Sequence, residues 1–600
     1  MYSQYKINRM SASVTRVFDL LKYNKEKFSK DEFISGKING DWVRYSTQKF
    51  CEVTDNLSKG LTTLGIGKGS RVAIMSTNRP EWNIGDYAIM QLGAYQIPLY
   101  PTLAEHDIKF IIEDAQITVV FVGDKKLYEK IITVIADIKQ EVKIYTFDEV
   151  EGVSNWKELV EEGKKIAVDL DAYRKDVAPD DILTLIYTSG TTGTPKGVML
   201  THDNLVQNFK KSAVLLPNGV ADGLSFLPLS HIFERMISYL YAYLNISIYY
   251  AESMDTIVAD IQSVKPTVFS TVPRLLEKVY DKIIEKGKAL TGIKKMIFFW
   301  SLSLAEQYDT DKNWWYTFKL GIARKLVFKK WQEALGGNIQ VIISGGAALN
   351  PRLARVFWAA GLPVFEGYGL TETSPVISVN YFDAIKFGSV GKPIEGVEVK
   401  IAQDGEILVK GHNLMKGYYN KPELTAEAID KDGFFHTGDI GELTDGYLKI
   451  TDRKKEMFKT AGGKYVAPQM IENKIKEAPL IEQIMVLGEN RKFPAALVVP
   501  NFEALKGWCR IKGIEYGSNE TIVQNKEVHE KFTKLIDESN KDFGKWEQVK
   551  QFALLPKEWS IDGGELTPKL SLKRKVILEK NQEIIEKIYK DAENYHPEGK

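Results

Sequence analysis

The sequence predicts an α/β fold: a large N-terminal domain of α/β layers with a small β subdomain, followed by a smaller α+β C-terminal domain. Three observations predict it. Helix-like and strand-like segments alternate from Tyr45 onwards, short strands and turns take over from Val397 to Asp452, and beyond a lysine-rich crossing, Lys454-Lys455-Glu456, a compact α+β pattern begins. At 600 residues the chain exceeds one hydrophobic core. The domains are therefore set at 1–452, with a helical insertion at 285–335, and at 453–600.

In chain order, Met1 to Arg16 mixes polar and basic residues without an apolar core, so no secretory signal is expected there. A helix through Phe50 to Leu64 precedes a strand at Val72 to Met75, and a helix follows near Trp82 to Gln91. Ile97 to Tyr100, Thr118 to Val122 and Lys143 to Phe147 read as strands, separated by helices at Glu105 to Asp114 and Lys126 to Ile138. This alternation implies a parallel sheet.

Around Tyr187 to His202 the expected order is strand, loop, then a helix opening at Thr201-His202-Asp203. Strands near Leu224 to Leu227, Ile246 to Tyr250 and Thr267 to Thr271 imply a second α/β layer. The insertion carries Lys294, Lys295, Phe298, Phe299, Trp300, Trp314, Trp315, Phe318, Lys319, Lys325, Phe328, Lys329, Lys330 and Trp331, whose aromatics either pack on the domain or form a face for a membrane surface. Val341 to Ile343 and Val364-Phe365 are strands that each end in a glycine-rich loop, separated by a helix from Pro351 to Ala360. In open α/β sheets such loops line the ligand crevice. Strands near Ile484 to Leu487 and Ala495 to Val499 belong to the second domain, which closes with one helix from Leu572 to Tyr589.

Composition excludes several classes. With 44% hydrophobic and 26% charged residues the chain is an ordinary globular protein, and its net charge of +1 provides no global basic field, so nucleic acid is not an expected partner. Cys51 and Cys509 are too few and too far apart for a disulfide framework or a cysteine metal site, which suits a reducing cytoplasm. The apolar run Ile237 to Tyr250 is too short to span a bilayer, so the protein is expected to be soluble or peripheral on the cytoplasmic face of a membrane. A homo-oligomer stays open.

The stretch with most chemistry is Tyr187-Thr188-Ser189-Gly190-Thr191-Thr192-Gly193-Thr194-Pro195-Lys196-Gly197. Glycines admit a phosphate close to the backbone, hydroxyls and amides donate to its oxygens, and Lys196 adds a point charge. The Walker pattern fails, because Gly-Lys-Ser/Thr does not follow after four spacer residues. A flexible linker would not ordinarily lie between an apolar strand and a capped helix.

This string resembles the phosphate-binding signature of the acyl-adenylate-forming enzymes, which include acyl-CoA synthetases, luciferases and peptide-synthetase adenylation domains. The resemblance runs from about Trp42 to Tyr589, with the motifs in family order. It implies that Thr188, Ser189, Gly190, Thr191, Thr192, Gly193 and Lys196 hold the β- and γ-phosphates of ATP. In Tyr368-Gly369-Leu370-Thr371-Glu372, it implies Glu372 on Mg²⁺, Thr371 on the α-phosphate and Tyr368 beside the adenine, while Gly345, Gly346 and Ala347 line the nucleotide pocket. Asp439, in Phe435-His436-Thr437-Gly438-Asp439, and Arg453 match the grip on the ribose hydroxyls. His231, in Pro228-Leu229-Ser230-His231-Ile232-Phe233-Glu234-Arg235, falls near the substrate carboxylate and the thiol approach, and alone it could equally be a core histidine. Gly462-Gly463 match the glycines beside the pantetheine arm of CoA, and Lys455 matches a hinge. Chemistry asks for such a hinge: adenylation and thiol attack approach one carbonyl with different partners, so the C-terminal domain is expected to be mobile.

Asp452-Arg453-Lys454-Lys455-Glu456, the insertion, Val272-Pro273-Arg274 and Glu565-Leu566-Thr567-Pro568 look most like long-chain fatty acyl-CoA synthetases. That implies a long-chain fatty acid as substrate, CoA as co-substrate, and AMP and diphosphate as products. The alternatives are a fatty acyl-adenylate ligase that loads a carrier protein, and a degenerate lipid- or nucleotide-binding homologue. One departure bears on them. Where the family reads Leu-Thr-Pro-Thr-x-Lys, this chain reads Leu566-Thr567-Pro568-Lys569-Leu570-Ser571, which puts Ser571 at the position of the adenylating lysine. Lys569, two residues earlier and about 6.5 Å away on the same side of an extended segment, is the expected substitute.

Overall fold

The computed structural model describes residues 13–38, 40–189, 195–253, 255–560, 563–567 and 572–594. It resolves into two compact units, one from the described residues of Met1–Lys400, Leu408–Thr437 and Asp445–Leu448, the other from Ile401–Ile407, Gly438–Thr444 and Lys449–Lys600. The boundary expected at Arg453 compares with a final stretch of the second unit that begins at Lys449.

The first unit is built on two sheets. The seven-stranded sheet has the spatial order Gly417–Tyr418, Pro195–Thr201, Ile182–Ser189, Tyr95–Leu99, Arg71–Met75, Val119–Val122, Lys143–Thr146. Its strands from Ile182–Ser189 to Lys143–Thr146 are parallel and connected through helices, as the alternation requires; the inner ones are buried on both faces and the edge strand Lys143–Thr146 is partly exposed. The nine-stranded sheet runs Lys392–Pro393, Val376–Val379, Val364–Gly369, Val341–Ser344, Val268–Thr271, Asp222–Ser225, Ser247–Tyr250, Ile34–Ile38, Asp41–Tyr45. It is parallel in the middle and antiparallel at both edges.

Helix Ile232–Tyr243 joins the two sheets. Its consecutive residues Glu234 and Arg235 reach opposite ways. Ser225 Oγ and Ser270 Oγ, from neighbouring strands of the nine-stranded sheet, each donate to the Glu234 carboxyl at 2.5 Å, and burial pushes that carboxyl up to about 7. Arg235 Nη1 donates to Thr184 Oγ1 of the seven-stranded sheet at 2.8 Å, and Nη2 meets Asp86 Oδ1 of helix Pro80–Met90 at 2.5 Å. Tyr239 Oη donates to Asp86 Oδ2, and the guanidinium lies 5.4 Å from the Trp82 ring. Both members of the ion pair are fully buried.

The second unit contains a three-stranded sheet in the order Ile481–Leu487, Ala495–Pro500, Gln551–Leu554, packed with helices Pro468–Ile475, Phe502–Lys512 and Lys526–Asn540 around its own core. This is the expected α+β pattern. The expected small β subdomain is a four-stranded sheet, Val397–Ile401, Glu406–Gly411, Phe435–Thr444, Tyr447–Arg453.

Several elements differ from the sequence reading. Pro195–Thr201 is a strand, antiparallel to Ile182–Ser189, because Val198 and Leu200 are apolar and extended and complete the sheet before Thr201 caps helix His202–Ala213. The hairpin Ile34–Ile38 and Asp41–Tyr45, which gave no signal in the sequence, forms an edge of the nine-stranded sheet. Gly417–Tyr418 joins the seven-stranded sheet instead of the β subdomain. The closing helix is two helices, Arg574–Lys580 and Gln582–Asn594, interrupted at Asn581, whose side chain turns back to the Ile577 carbonyl.

The buried pair generates a prediction. Asp86→Ala leaves the Arg235 charge unpaired and should destabilise the first unit by about 3–5 kcal/mol. The urea midpoint checks this, with Asp86→Leu/Arg235→Met expected to recover most of the loss. A midpoint unchanged in Asp86→Ala would show that the pair does not hold the sheets together.

Candidate active site

The phosphate string lies on a hairpin. Thr188 and Lys196 are direct partners across Ile182–Ser189 and Pro195–Thr201, and Ser189 partners Pro195 through the backbone. Gly190, Thr191, Thr192 and Gly193 lie outside the described residues, as does the side chain of Ser189. Tyr187 fixes one flank by donating to Asp114 Oδ2 at 2.5 Å, and this bond together with burial raises its phenol pKa.

Lys196 and Glu372 are brought together by a residue that sequence reasoning missed. Lys196 Nζ lies 5.2 Å over the Tyr418 ring, and Tyr418 Oη donates to Glu372 Oε1 at 3.1 Å. Burial, then the neighbouring Glu372 carboxylate, keeps the Tyr418 proton on. The backbone holds the same three residues. Met415 N donates to the Glu372 carbonyl at 2.8 Å, Lys416 N to Met199 O at 2.9 Å, and Tyr419 N to Gly197 O at 2.8 Å. Asn204 Nδ2 ties down the approach by donating to His412 O and Leu414 O. A glycine followed by two tyrosines, Gly417-Tyr418-Tyr419, was the available signal, but a two-residue strand has no readable period.

Thr371 and Glu372 open a single 3₁₀ turn, Thr371–Thr373, after strand Val364–Gly369; Thr371 is buried and Glu372 half-buried. Gly369 cannot be replaced there, since a Cβ would lie 1.8 Å from Pro375 O. Tyr368 is buried on the same strand and pairs with Ser378. Gly345, Gly346 and Ala347 follow strand Val341–Ser344. Gly346 has φ +81°, and a Cβ on Gly345 would press on the Phe233 ring at 3.3 Å. This loop is anchored by Leu349 N, which donates to Glu366 Oε1 at 3.0 Å, and burial pushes the Glu366 carboxyl up to about 8. His231 caps helix Ile232–Tyr243: its Nδ1 accepts from Phe233 N at 3.1 Å, so any proton traffic through this ring uses Nε2.

In the second unit Arg453 Nε and Asp439 Oδ1 are 3.4 Å apart, with Asp439 buried and Arg453 half exposed. Asp452, pushed up to about 7 by burial, accepts from Arg453 N and Gln469 N and fixes the backbone there. Lys454 pairs with Asp404 at 2.6 Å and Glu406 at 2.8 Å, while Lys455 is exposed in the turn that follows. Gly462 and Gly463 form the tip of the hairpin Phe458–Lys459 and Tyr465–Val466, where Gly463 has φ +73° and open space around its Cα. The turn alone therefore asks for glycine at Gly463. Lys569 and Ser571 lie outside the described residues. On either side of them, Leu566 and Leu572 form an antiparallel bridge, and Arg574 Nη2 donates to both carboxylate oxygens of Glu472, at 2.7 and 2.8 Å, while its Nε donates to Glu456 Oε2.

Parallel layers with glycine-rich loops at strand ends, and a lysine set across from a carboxylate on a hairpin whose sequence is rich in hydroxyls, are the arrangement expected if the resemblance to adenylate-forming enzymes holds. Residues 21–419 match the AMP-binding enzymes and residues 456–593 match the AMP-binding enzyme C-terminal domain, so the chain belongs to the AMP-binding enzyme family. It is similar to the long-chain-fatty-acid–CoA ligase FadD15 of Mycobacterium tuberculosis, 34% identical over 568 residues covering 92% of this chain and 93% of that protein. It is also similar to human long-chain-fatty-acid–CoA ligase 1, 33% identical over 579 residues covering 89% of this chain and 80% of that protein. In fold it resembles the adenylation domain of a carboxylate reductase from Mycobacterium chelonae, with a TM-score of 0.76 at 22% identity, covering 96% of this chain and 91% of that one.

Glu366 gives a pH prediction. Its carboxyl is protonated in both states below the ordinary 4.5; as pH rises towards about 8 the unfolded chain releases the proton and the folded chain keeps it. Stability contributed by this group is thus complete below pH 4.5 and is lost through pH 8, with a slope of up to about 1.4 kcal/mol per pH unit. Glu366→Gln retains an acceptor for Leu349 and should flatten that fall, read as urea midpoints from pH 5 to 8. Parallel curves for the two proteins would place the Glu366 proton elsewhere.

Proposed function

We propose that the chain is a long-chain fatty acid–CoA ligase that works through an acyl-adenylate. A carboxylate oxygen of the acid attacks the α-phosphorus of ATP, the bond to the β-phosphate oxygen breaks, and diphosphate leaves. The CoA sulfur, losing its proton, then attacks the acyl carbonyl and AMP leaves. The observation that carries the reading is the Lys196–Tyr418–Glu372 array beside the hydroxyl-rich hairpin. The acyl class and the thiol acceptor are supported by the curated relatives, which are named long-chain-fatty-acid–CoA ligases at 31–34% identity.

In this reading Lys196 and the residues Thr188 to Gly193 neutralise the β- and γ-phosphates as charge moves onto the leaving diphosphate. Glu372 would hold Mg²⁺, whose chemistry is to screen the triphosphate. One half-buried carboxylate, oriented by the Tyr418 hydroxyl, suits an ion that takes one or two protein ligands and completes its shell with phosphate and water. Thr371 faces the α-phosphate, Tyr368 and the Gly345-Gly346-Ala347 loop hold the adenine end, and Asp439 with Arg453 takes the ribose. His231 orients the carboxylate and later the thiol through Nε2. Gly462 and Gly463 pass the pantetheine arm, Lys455 is the hinge of a mobile C-terminal domain, and Lys569 supplies the charge between carboxylate and α-phosphate. Two buried cysteines fit a reducing cytoplasm. No helix among the described residues is long and apolar enough to cross a membrane, and we place the enzyme peripherally at a bilayer, into which a long-chain acid partitions.

Fatty-acid-dependent exchange of diphosphate into ATP tests the first half-reaction. Glu372→Gln should lower exchange by at least about 10²-fold, and Tyr418→Phe, which keeps the ring under Lys196, by about tenfold for one charge-assisted bond. Normal exchange in Glu372→Gln removes that residue from the phosphate site.

The departure at Ser571 is tested by Lys569→Ala and Ser571→Lys in both half-reactions. If Lys569 substitutes, its loss should lower adenylation by on the order of 10²–10³-fold and leave thiol transfer from supplied acyl-adenylate nearly intact. Unchanged adenylation sinks that role. A large gain in Ser571→Lys over an almost inactive parent identifies a crippled adenylating site.

A further inference from the structure

We propose that the outer face of helices Gly292–Glu306 and Trp314–Ala323 docks on an anionic lipid bilayer. The structure separates the aromatic residues of this insertion into two groups. Phe298, Phe328 and Trp331 belong to the core, with Leu302, Ala305, Leu320, Ala323 and Val327. Trp314, Phe318 and Ile322, at every fourth position, lie along the opposite side of helix Trp314–Ala323 and are exposed, Trp314 to 76% and Phe318 to 55%, and exposed Leu326 follows in the π turn Arg324–Phe328. Ile293, Met296 and Trp300 form a matching stripe on the preceding helix, exposed to 71%, 65% and 39%. A helix apolar on both sides is expected where something covers the outer side.

Charge selects the occupant. From Thr291 to Ala334 there are eight basic residues against four acidic ones. Of those acids, Glu306 is engaged by Arg352 and Asp309 by Arg355. Lys294, Lys295, Lys312, Lys325, Lys329 and Lys330 are exposed around the stripes, and Lys319 lies 5.2 Å over Trp315, which stacks on Phe318. Tryptophan and phenylalanine ringed by lysines match the interfacial layer of an anionic membrane. A second copy of the chain fits less well, because a two-fold contact sets the same lysines against each other.

The proposal rests on the ligase reading, whose acid dissolves in membranes, and its test needs no turnover. The full chain, without ATP or CoA, is sedimented with phosphatidylglycerol–phosphatidylcholine vesicles. It should bind at low salt, bind less at high salt, and ignore pure phosphatidylcholine. Trp314→Ala/Trp315→Ala/Phe318→Ala should abolish binding, and Lys319→Gln/Lys325→Gln/Lys329→Gln/Lys330→Gln should weaken it by on the order of fivefold per lysine. Both variants should keep their circular dichroism and their activity on detergent-dispersed acid. Wild-type protein that ignores anionic vesicles, variants that bind as it does, or variants whose only change is lost self-association by light scattering would overturn the proposal. Inactivity of the wild type on dispersed acid would overturn the ligase reading instead, whatever the vesicles show.

Discussion

Two charges buried side by side, Arg235 and Asp86, set the geometry of the first unit. Removing both from water costs several kcal/mol per ion, and the cost is met only if the remaining donors and acceptors are matched. They are: Arg235 is satisfied by Asp86, Tyr239 and Thr184, and Asp86 accepts from Arg235 and Tyr239. An apolar contact could slide, whereas this set has one arrangement that satisfies every group. It fixes helix Ile232–Tyr243 in rotation, and Glu234, one residue earlier, then meets the two serines of the other sheet. His231 is the cap of that helix, so its position follows from a bond made one turn further on.

If the hairpin holds phosphates as proposed, it does so with a backbone different from that of a Walker loop. There the chain enters a helix directly, and the helix N-terminus faces the phosphates. Here it returns as a strand for seven residues, Pro195–Thr201, before helix His202–Ala213 starts. The helix N-terminus is therefore carried away from the turn. Lys196 stands at the start of that strand; Lys416 N and Tyr419 N bond to the same strand on either side of Tyr418, and Met415 N holds the Glu372 carbonyl. In the proposed reading Lys196 supplies the positive charge that a helix N-terminus supplies in a Walker loop, and Glu372 would act there through the Mg²⁺ it holds.

What the sequence made legible was periodic. Arg71–Met75, Val119–Val122 and the helices between them repeat an apolar pattern long enough to read, and Thr201 announces its helix by capping it. What escaped was short or polar. Asp41–Tyr45 is an edge strand with mostly exposed side chains, and Gly417–Tyr418 is held by its neighbours alone. Site residues in distinctive strings, such as Glu372 and Lys196, were nameable; Tyr418, which connects them, was not, because its role depends on contacts more than forty residues apart. Composition also could not divide the aromatics of the insertion. Trp331, in helix Lys329–Ala334, is buried and Trp314, in helix Trp314–Ala323, is exposed, although both stand among lysines in the sequence.

The segment around Ser571 departs from the family string, while the described residues that flank it are held in the second unit. Leu566 bridges Leu572, Lys573 N donates to Glu565 O at 2.7 Å, and Arg574 is held by Glu472 and Glu456. The described residues on both sides are thus tied into the second unit, Leu566 five positions before Ser571 and Leu572 one position after it. In the reading proposed above Lys569 serves from two positions earlier, and a lysine, with four methylenes and three rotatable donors, is a residue type suited to supplying a charge at a distance from its own Cα.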